Sequence, residues 1–150
     1  MTQKEIIFFE LKEGGDFLRI EVIRLAHPHA KDDWDHRWVK SNVSLKAGGF
    51  SGQFACDLMI SDFQIFKEQL SALYEKMDGI AIFSTVEEQI DIKIKGDGLG
   101  HFEAQCKVMD SPGTGNSLDF ELEFDQTFIP QIVNQLEKVI QTFPVSASQK

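Results

Sequence analysis

The chain has 150 residues, of which 42% are hydrophobic and 26% are charged, and these values are typical of one globular domain. Its 24 acidic and 15 basic residues give a net charge of −9, which argues against nucleic acid or an anionic membrane as a partner. The charge indicates a basic protein or a cation as a partner, or serves solubility alone. The charge is uneven, because residues 108–137 contain acidic side chains but no lysine or arginine.

The first part of the chain carries four segments with the two-residue periodicity of half-buried β-strands. Glycine-containing turns join the first pair of segments and the second pair, whereas a polar segment separates the two pairs. Such short turns favour antiparallel neighbours. The predicted strands are Ile6–Leu11, Asp16–Leu25, Arg37–Lys46 and Phe50–Ile60.

A helix is predicted to begin at Ser61, because Ser61 and Gln64 have the spacing of a capping box. Ile60 and Ile65 have the spacing of a hydrophobic staple, and Gly79 is the expected C-terminal stop. Apolar residues recur every three or four positions along the helix, as expected for one buried face. These residues are Phe63, Phe66, Leu70, Leu73 and Met77.

Three strands are predicted next, and then a stretch in which the periodicity changes. The strands are Ile80–Ser84, Gln89–Lys95 and the alternating segment 102–108. From Ser117 the apolar Leu118, Phe120, Leu122 and Phe124 alternate with Asp119, Glu121 and Glu123. At Asp125 the period becomes helical, through Phe128, Ile132, Leu136, Val139 and Phe143, and Pro144 ends the helix.

These elements predict an α+β fold, with a curved, mainly antiparallel sheet of about eight strands and two helices packed on its apolar face. We expect residues 1–145 to form one domain and 146–150 a flexible tail. The sequence contains no internal repeat or linker that would indicate a second domain.

The cysteines and the apolar runs indicate the compartment. Cys56 and Cys106 both fall on apolar strand faces, so we expect buried thiols and not a disulfide, in keeping with a reducing cytosol. The apolar run near the N-terminus is too short for a signal peptide, and no run is long enough to span a membrane. A cytoplasmic location without membrane association follows as an expectation.

Two clusters offer groups for metal binding or acid–base chemistry. Imidazoles and carboxylates in the polar segment could ligate a divalent metal, but their spacing matches no known site and a solvated loop is the simpler explanation. His101 and Glu103 lie two residues apart on one strand face, where they could act as acid and base, or form an ordinary polar strand face. The metal candidates are His27, His29, Asp32, Asp33, Asp35 and His36.

The third cluster is the carboxylate row Asp119, Glu121 and Glu123. Successive carboxylates on one face of a strand lie roughly 7 Å apart and repel each other. Solvent exposure explains such a row, and an acidic surface that meets a basic partner is the functional alternative. Glu103 joins this row as a candidate partner-binding residue, and Trp34 is either a core residue or an aromatic anchor for a partner.

The order of several motifs resembles the WapI family of bacterial immunity proteins. The resemblance runs from about residue 15 to residue 144, and the glycine turn and the strand-to-helix junction are its most specific parts. The motifs are a Trp followed by a strand, Gly48-Gly49-Phe50-Ser51-Gly52, a helix of Phe63–Tyr74 type, Gly96-Asp97-Gly98-Leu99-Gly100-His101-Phe102, Leu122-Glu123-Phe124-Asp125-Gln126-Thr127-Phe128-Ile129-Pro130 and Phe143-Pro144.

The resemblance implies a cytoplasmic, non-enzymatic protein that needs no cofactor. Members of that family bind the C-terminal toxin domain of a wall-associated, repeat-bearing antibacterial protein, and such toxin domains include nucleases that act on transfer RNA. By implication this chain would neutralise a cognate toxin domain by occluding its active site. The alternative from another class is a small-molecule or metal-binding domain that uses the segment His27–His36. The sequence does not define the oligomeric state.

Overall fold

The computed structural model describes residues 5–29 and 37–144 of the chain. Within these ranges the chain forms eight strands and two α-helices, and a short 3-10 helix precedes the second α-helix. In chain order they are β1 (Ile7–Glu13), β2 (Asp16–Leu25), β3 (Trp38–Ala47), β4 (Phe50–Met59), α1 (Ile60–Lys76), β5 (Asp78–Ser84), β6 (Ile90–Asp97), β7 (His101–Met109), β8 (Ser117–Asp125), the 3-10 helix (Gln126–Phe128) and α2 (Ile129–Thr142).

The α+β class with eight antiparallel strands and two helices is confirmed, but the strands form two sheets and not one continuous curved sheet. One sheet has the order β1-β2-β3-β4 and the other the order β5-β6-β7-β8. Each sheet is followed by one helix, so the topology ββββα occurs twice. The two halves have no matching residue pattern, which is why the sequence does not reveal the repeat.

Each helix packs against a strand of the sheet that it does not follow in the chain. The helix α1, which follows the first sheet, packs against β5, and α2, which follows the second sheet, packs against β1. The helices also pack against each other. The apolar residues of both sheets and both helices form one continuous hydrophobic core, so each half covers apolar surface that the other half would expose.

An aromatic cluster joins the two halves at the centre of this core. Phe9 on β1, Phe83 on β5, and Phe63 and Phe66 on α1 are all completely buried. The ring centroids of Phe9 and Phe63 are 5.8 Å apart and those of Phe63 and Phe83 are 5.2 Å apart, both in edge-to-face geometry. Such pairs contribute about 0.5–1.5 kcal/mol beyond the area that they bury.

The predicted start of the first helix is wrong by one residue, and so is its cap. The helix begins at Ile60, and Met59 is an N-cap residue without a side-chain hydrogen bond. The Ile60 N–H donates to the Arg37 carbonyl at 2.8 Å, so the strand ladder continues to the first helical residue and leaves no place for a serine cap. Ile65 is 49% exposed and forms no staple.

The C-terminal stop of that helix is also misplaced. Met77, with φ of 60°, is the left-handed C-cap residue and donates its N–H to the Leu73 carbonyl, whereas Gly79 lies inside β5. Phe63, Phe66, Leu70 and Leu73 are buried as predicted. Phe50 at the start of β4 is 66% exposed because it lies beside the β3–β4 turn.

Candidate partner-binding face

The strands β5–β8 present one face to the core and the opposite face outwards. On β8, Asp119, Glu121 and Glu123 alternate with the core-facing residues and are exposed. On β7, Glu103 is half-buried and lies directly opposite Glu123 in the antiparallel register. The four carboxylates that the sequence analysis selects therefore lie together on adjacent strands, and we call them the acidic patch (Glu103, Asp119, Glu121 and Glu123).

The carboxylates of the acidic patch are close enough to interact strongly. One carboxylate oxygen from each of Glu103, Glu121 and Glu123 lies within 4.8 Å of the other two. Repulsion from Glu103 raises the pKa of the Glu121 carboxyl above its ordinary value, and desolvation, a hydrogen bond with Glu103 and the charge of Glu123 act in the same direction. Like charges directly opposite each other destabilise a sheet, so this arrangement is unfavourable for the isolated chain.

At one end of the acidic patch the backbone is fixed by side-chain hydrogen bonds. His101 Nε2 lies 3.2 Å from Glu123 Oε1. Asp97 Oδ1 accepts hydrogen bonds from the backbone N–H groups of Leu99 and His101, at 2.7 Å and 3.1 Å. These bonds hold the pKa of the Asp97 carboxyl below its ordinary value. The turn between β6 and β7 therefore positions His101 beside the carboxylates.

Lysines of β6 and β7 border the acidic patch. Lys93 and Lys95 on β6 lie opposite Gln105 and Glu103 of β7, and Lys107 lies opposite Asp119. A shallow groove of about 450 Å³ crosses the outer face of β6, β7 and β8. It is lined by Asp91, Lys93, Gln105, Lys107, Asp119 and Glu121, among others. On this face β6 therefore carries both lysines and aspartate, whereas β8 carries carboxylates and no lysine or arginine.

Sequence alternation on β6 and β7 could have identified these flanking residues. Lys93, Gln105 and Lys107 are exposed and alternate with buried apolar neighbours, as the polar residues of β8 do. What the sequence does not give is the pairing of the strands. Without the register, Glu103 cannot be placed opposite Glu123, and the clustering of carboxylates remains hidden.

The geometry of the acidic patch suits two kinds of positively charged group. Exposed carboxylate pairs accept bidentate hydrogen bonds from arginine and charge-assisted bonds from lysine. Three carboxylate oxygens could also contribute to the coordination of a hard cation such as Ca²⁺, which takes six to eight oxygen ligands. The acidic patch supplies only part of such a set, so an extended basic surface fits its shape better than an ion does.

The other candidates from the sequence are placed only in part. Trp34, Asp32, Asp33, Asp35 and His36 lie outside the described residues, and His27 and His29 are exposed. A metal site in that segment therefore stays a prediction. His101 and Glu103 do lie on the same strand, and the structure brings Glu123 to His101 as a further carboxylate.

The two cysteines are free and buried, as predicted. Burial raises the pKa of the Cys56 thiol to about 12, with the charges of Asp57 and Glu87 adding to the shift. Burial also raises the pKa of the Cys106 thiol to about 12. Because the thiolate is the nucleophilic form, neither thiol is activated for chemistry.

Comparison with protein-family models identifies the class of the protein. The model of the Immunity protein WapI-like family matches residues 7–144, which includes every strand and helix described above. The chain therefore belongs to this family, and the resemblance seen in the sequence is confirmed. Membership supports a role as an immunity protein.

Comparison with solved structures gives the fold alone. The chain is similar to a structure from the crystallographic study of MRP1/MRP2 of Trypanosoma bruciei, with a TM-score of 0.50 and 10% sequence identity. The match covers 94% of this chain and 88% of that one. No curated protein matches the sequence. Among the described helices, none has the length and apolar character needed to cross a membrane.

Proposed function

We propose that this chain is a cytoplasmic, non-enzymatic immunity protein that binds a cognate toxin domain through the acidic patch and blocks its activity. The family match supports the immunity role. The chain's net charge of −9 and the acidic outer face of β8 support a basic partner, such as a nuclease whose active surface must itself attract a nucleic acid.

The observation that carries the proposal is the direct apposition of Glu103 and Glu123, with Glu121 beside them. Like-charged pairs in this position destabilise a sheet. An arrangement that is unfavourable in the free protein becomes favourable when arginine or lysine side chains of a partner neutralise it. The acidic patch therefore gains more from a basic surface than isolated carboxylates would.

The same charges accelerate the encounter. A face with one sign of charge steers an oppositely charged partner and raises its association rate, and salt reduces this effect. A toxin domain held by its basic surface could no longer admit an anionic substrate at that surface. Neutralisation then follows from occlusion, without any chemical step by this chain.

The test requires a candidate toxin, which we expect to be the C-terminal domain of a large secreted protein encoded immediately upstream of this chain. The association rate constant is measured by surface plasmon resonance at several salt concentrations. We expect the triple variant Asp119→Asn, Glu121→Gln, Glu123→Gln to associate on the order of ten times more slowly and to lose most of its salt dependence.

A second triple variant provides the matched control. Glu68→Gln, Glu75→Gln, Glu87→Gln changes the net charge by the same amount at exposed positions outside β8, so its association should stay close to that of the unmodified chain. If both triple variants are slowed equally, the effect is one of net charge and the acidic patch is not the binding face. If neither is slowed, charge does not guide the encounter.

A further inference from the structure

Each sheet has two edge strands, and three of the four edges are blocked by a side chain from another element. Gln135 Oε1 on α2 accepts the Glu10 N–H of β1 at 3.0 Å. Gln69 Oε1 on α1 accepts the Ile82 N–H of β5 at 2.7 Å. The edge of β8 is blocked in the same way by Glu13 Oε1, which accepts the Glu123 N–H at 2.8 Å. Blocked edges resist pairing with another chain.

The edge of β4 differs from the other three. The bond from the Ile60 N–H to the Arg37 carbonyl fixes which residues of β4 pair with β3, because hydrogen-bonded and non-bonded pairs alternate in an antiparallel ladder. The even-numbered residues of β4 face β3, and the N–H and C=O groups of Ser51, Gln53 and Ala55 point away from the sheet. Among the described residues, no side chain blocks these groups.

The open part of β4 is its first half. Phe50, Ser51, Gly52, Gln53 and Ala55 are exposed, and Phe54 is half-buried. The second half is more enclosed: Asp57 is half-buried and Met59 is buried, although both alternate with the core-facing residues as Ser51 and Gln53 do. Any added strand must therefore centre near residues 52 and 53.

We propose that β4 is a dimerisation edge, on which the β4 strand of a second copy of this chain pairs antiparallel with Gln53 opposite Gln53 of that copy. Ser51 then lies opposite Ala55, and the two β1–β4 sheets join into one sheet of twice the width. This register forms about six backbone hydrogen bonds between the copies. The dimer leaves β8 and the acidic patch exposed.

A second copy fits this edge better than a charged partner does. Ser51, Gln53 and Ala55 carry no charge, so two copies bring no like charges together and a basic protein finds no carboxylate among the paired residues. The register also places Phe54 of each copy opposite Gly52 of the other. An aromatic ring that covers a cross-strand glycine stabilises a sheet, and the two-fold symmetry makes this contact twice.

The test is the mass of the purified chain in solution, measured by light scattering or sedimentation over a wide range of concentration. We expect twice the chain mass. Gln53→Pro should reduce it to the mass of one chain, because proline removes an outward N–H without removing a β3–β4 bond. Gln53→Ala keeps that N–H and should leave the dimer intact, which makes it the matched control.

Cysteine cross-linking tests the register. In a Gln53–Gln53 pair the Cα atoms lie about 5.5 Å apart, within the range of about 4.4–6.8 Å that a disulfide spans. Gln53→Cys should therefore cross-link to itself under mild oxidation, whereas Ser51→Cys should cross-link only when mixed with Ala55→Cys. All three positions are exposed, so the variants should fold.

Three results would overturn the proposal. The unmodified chain could have the mass of one chain at every concentration, in which case the edge does not pair with a second copy. Gln53→Pro could leave a dimer intact while far-UV circular dichroism shows the native fold, so that the copies meet elsewhere. Ser51→Cys could cross-link to itself more readily than Gln53→Cys, which excludes the register.

Discussion

Asp62 is a carboxylate whose surroundings oppose its charge. It lies in the first turn of α1, and among the described residues its buried Oδ2 atom has no hydrogen-bond partner. Burial raises the pKa of the Asp62 carboxyl to about 6. The pKa of such a group is higher in the folded chain than in the unfolded chain. Its contribution to stability is complete at pH values below the unfolded-state pKa, and it is lost as the pH rises through the folded-state pKa.

We therefore expect the free energy of unfolding to fall between about pH 4 and pH 7 through Asp62. The loss should be about 1 kcal/mol, because a half-buried carboxyl is partly screened by solvent. Asp62→Asn should lack this component, so the difference between the two proteins should grow across that range. Urea unfolding at several pH values measures it, and a difference that stays constant with pH would contradict the assignment.

Tertiary contacts override the local sequence signals at both ends of α1. Ser61 has the right spacing for a cap, but Ile60 is already bound to the Arg37 carbonyl, and this contact joins residues that are distant in sequence. Met77 takes the left-handed cap position although glycine is favoured there by its conformational freedom. Local propensity could not predict either outcome, because tertiary contacts decide both.

Among the strands, β6 depends on a glycine for close packing. A Cβ atom added at Gly96 would lie 2.5 Å from the Met77 carbonyl oxygen and 2.7 Å from Phe102 Cε2. The Met77 carbonyl also accepts the Gly98 N–H at 2.8 Å, so neither neighbour can move without breaking the junction of α1, β6 and β7. The end of β6 is therefore fixed by contact with the end of α1.

Gly96→Ala should lower the free energy of unfolding by about 1–3 kcal/mol, because overpacking forces the backbone to shift. Gly49→Ala is the control, since a Cβ atom there meets nothing within 4 Å; its effect should be close to zero or slightly stabilising. Urea unfolding compares the two variants. Equal stabilities would show that the Met77–Gly96 contact carries no constraint.

Strands and helices were largely predictable, because each carries its own periodicity. The segments Asp16–Leu25 and Ser117–Asp125 match β2 and β8, and the alternation of Ile90, Ile92 and Ile94 identifies the buried face of β6. The edge-blocking residues Gln69 and Gln135 were not predictable. A glutamine on a helix carries no local signal that its side chain will reach a strand of the other half.

Across the whole molecule, the two sheets present outer faces of different charge. On the β1–β4 sheet, Arg19 pairs with Glu10 at 3.0 Å and Lys40 with Asp57 at 3.3 Å, so cations and carboxylates alternate. On the β5–β8 sheet the carboxylates of the acidic patch lie together on β8 and the adjacent β7. Of the two outer sheet faces, that of β5–β8 therefore carries the denser cluster of carboxylates, and steering by charge depends on such clustering.

The acidic patch was predictable as a row but not as a cluster. The sequence places Asp119, Glu121 and Glu123 on one face of β8, and it selects Glu103 separately. Only the register of β7 on β8 brings Glu103 opposite Glu123. The division into two sheets was equally hidden, because each strand shows the same alternation whichever sheet it joins.

The most direct test of the proposed function is survival of bacterial cells that express the candidate toxin domain, which we expect to be encoded immediately upstream. We expect co-expression of this chain to restore growth, and the control variant Glu68→Gln, Glu75→Gln, Glu87→Gln to restore it equally. The variant Asp119→Asn, Glu121→Gln, Glu123→Gln should fail to protect at matched protein levels. Full protection by that variant, or none by the unmodified chain, would contradict neutralisation through the acidic patch.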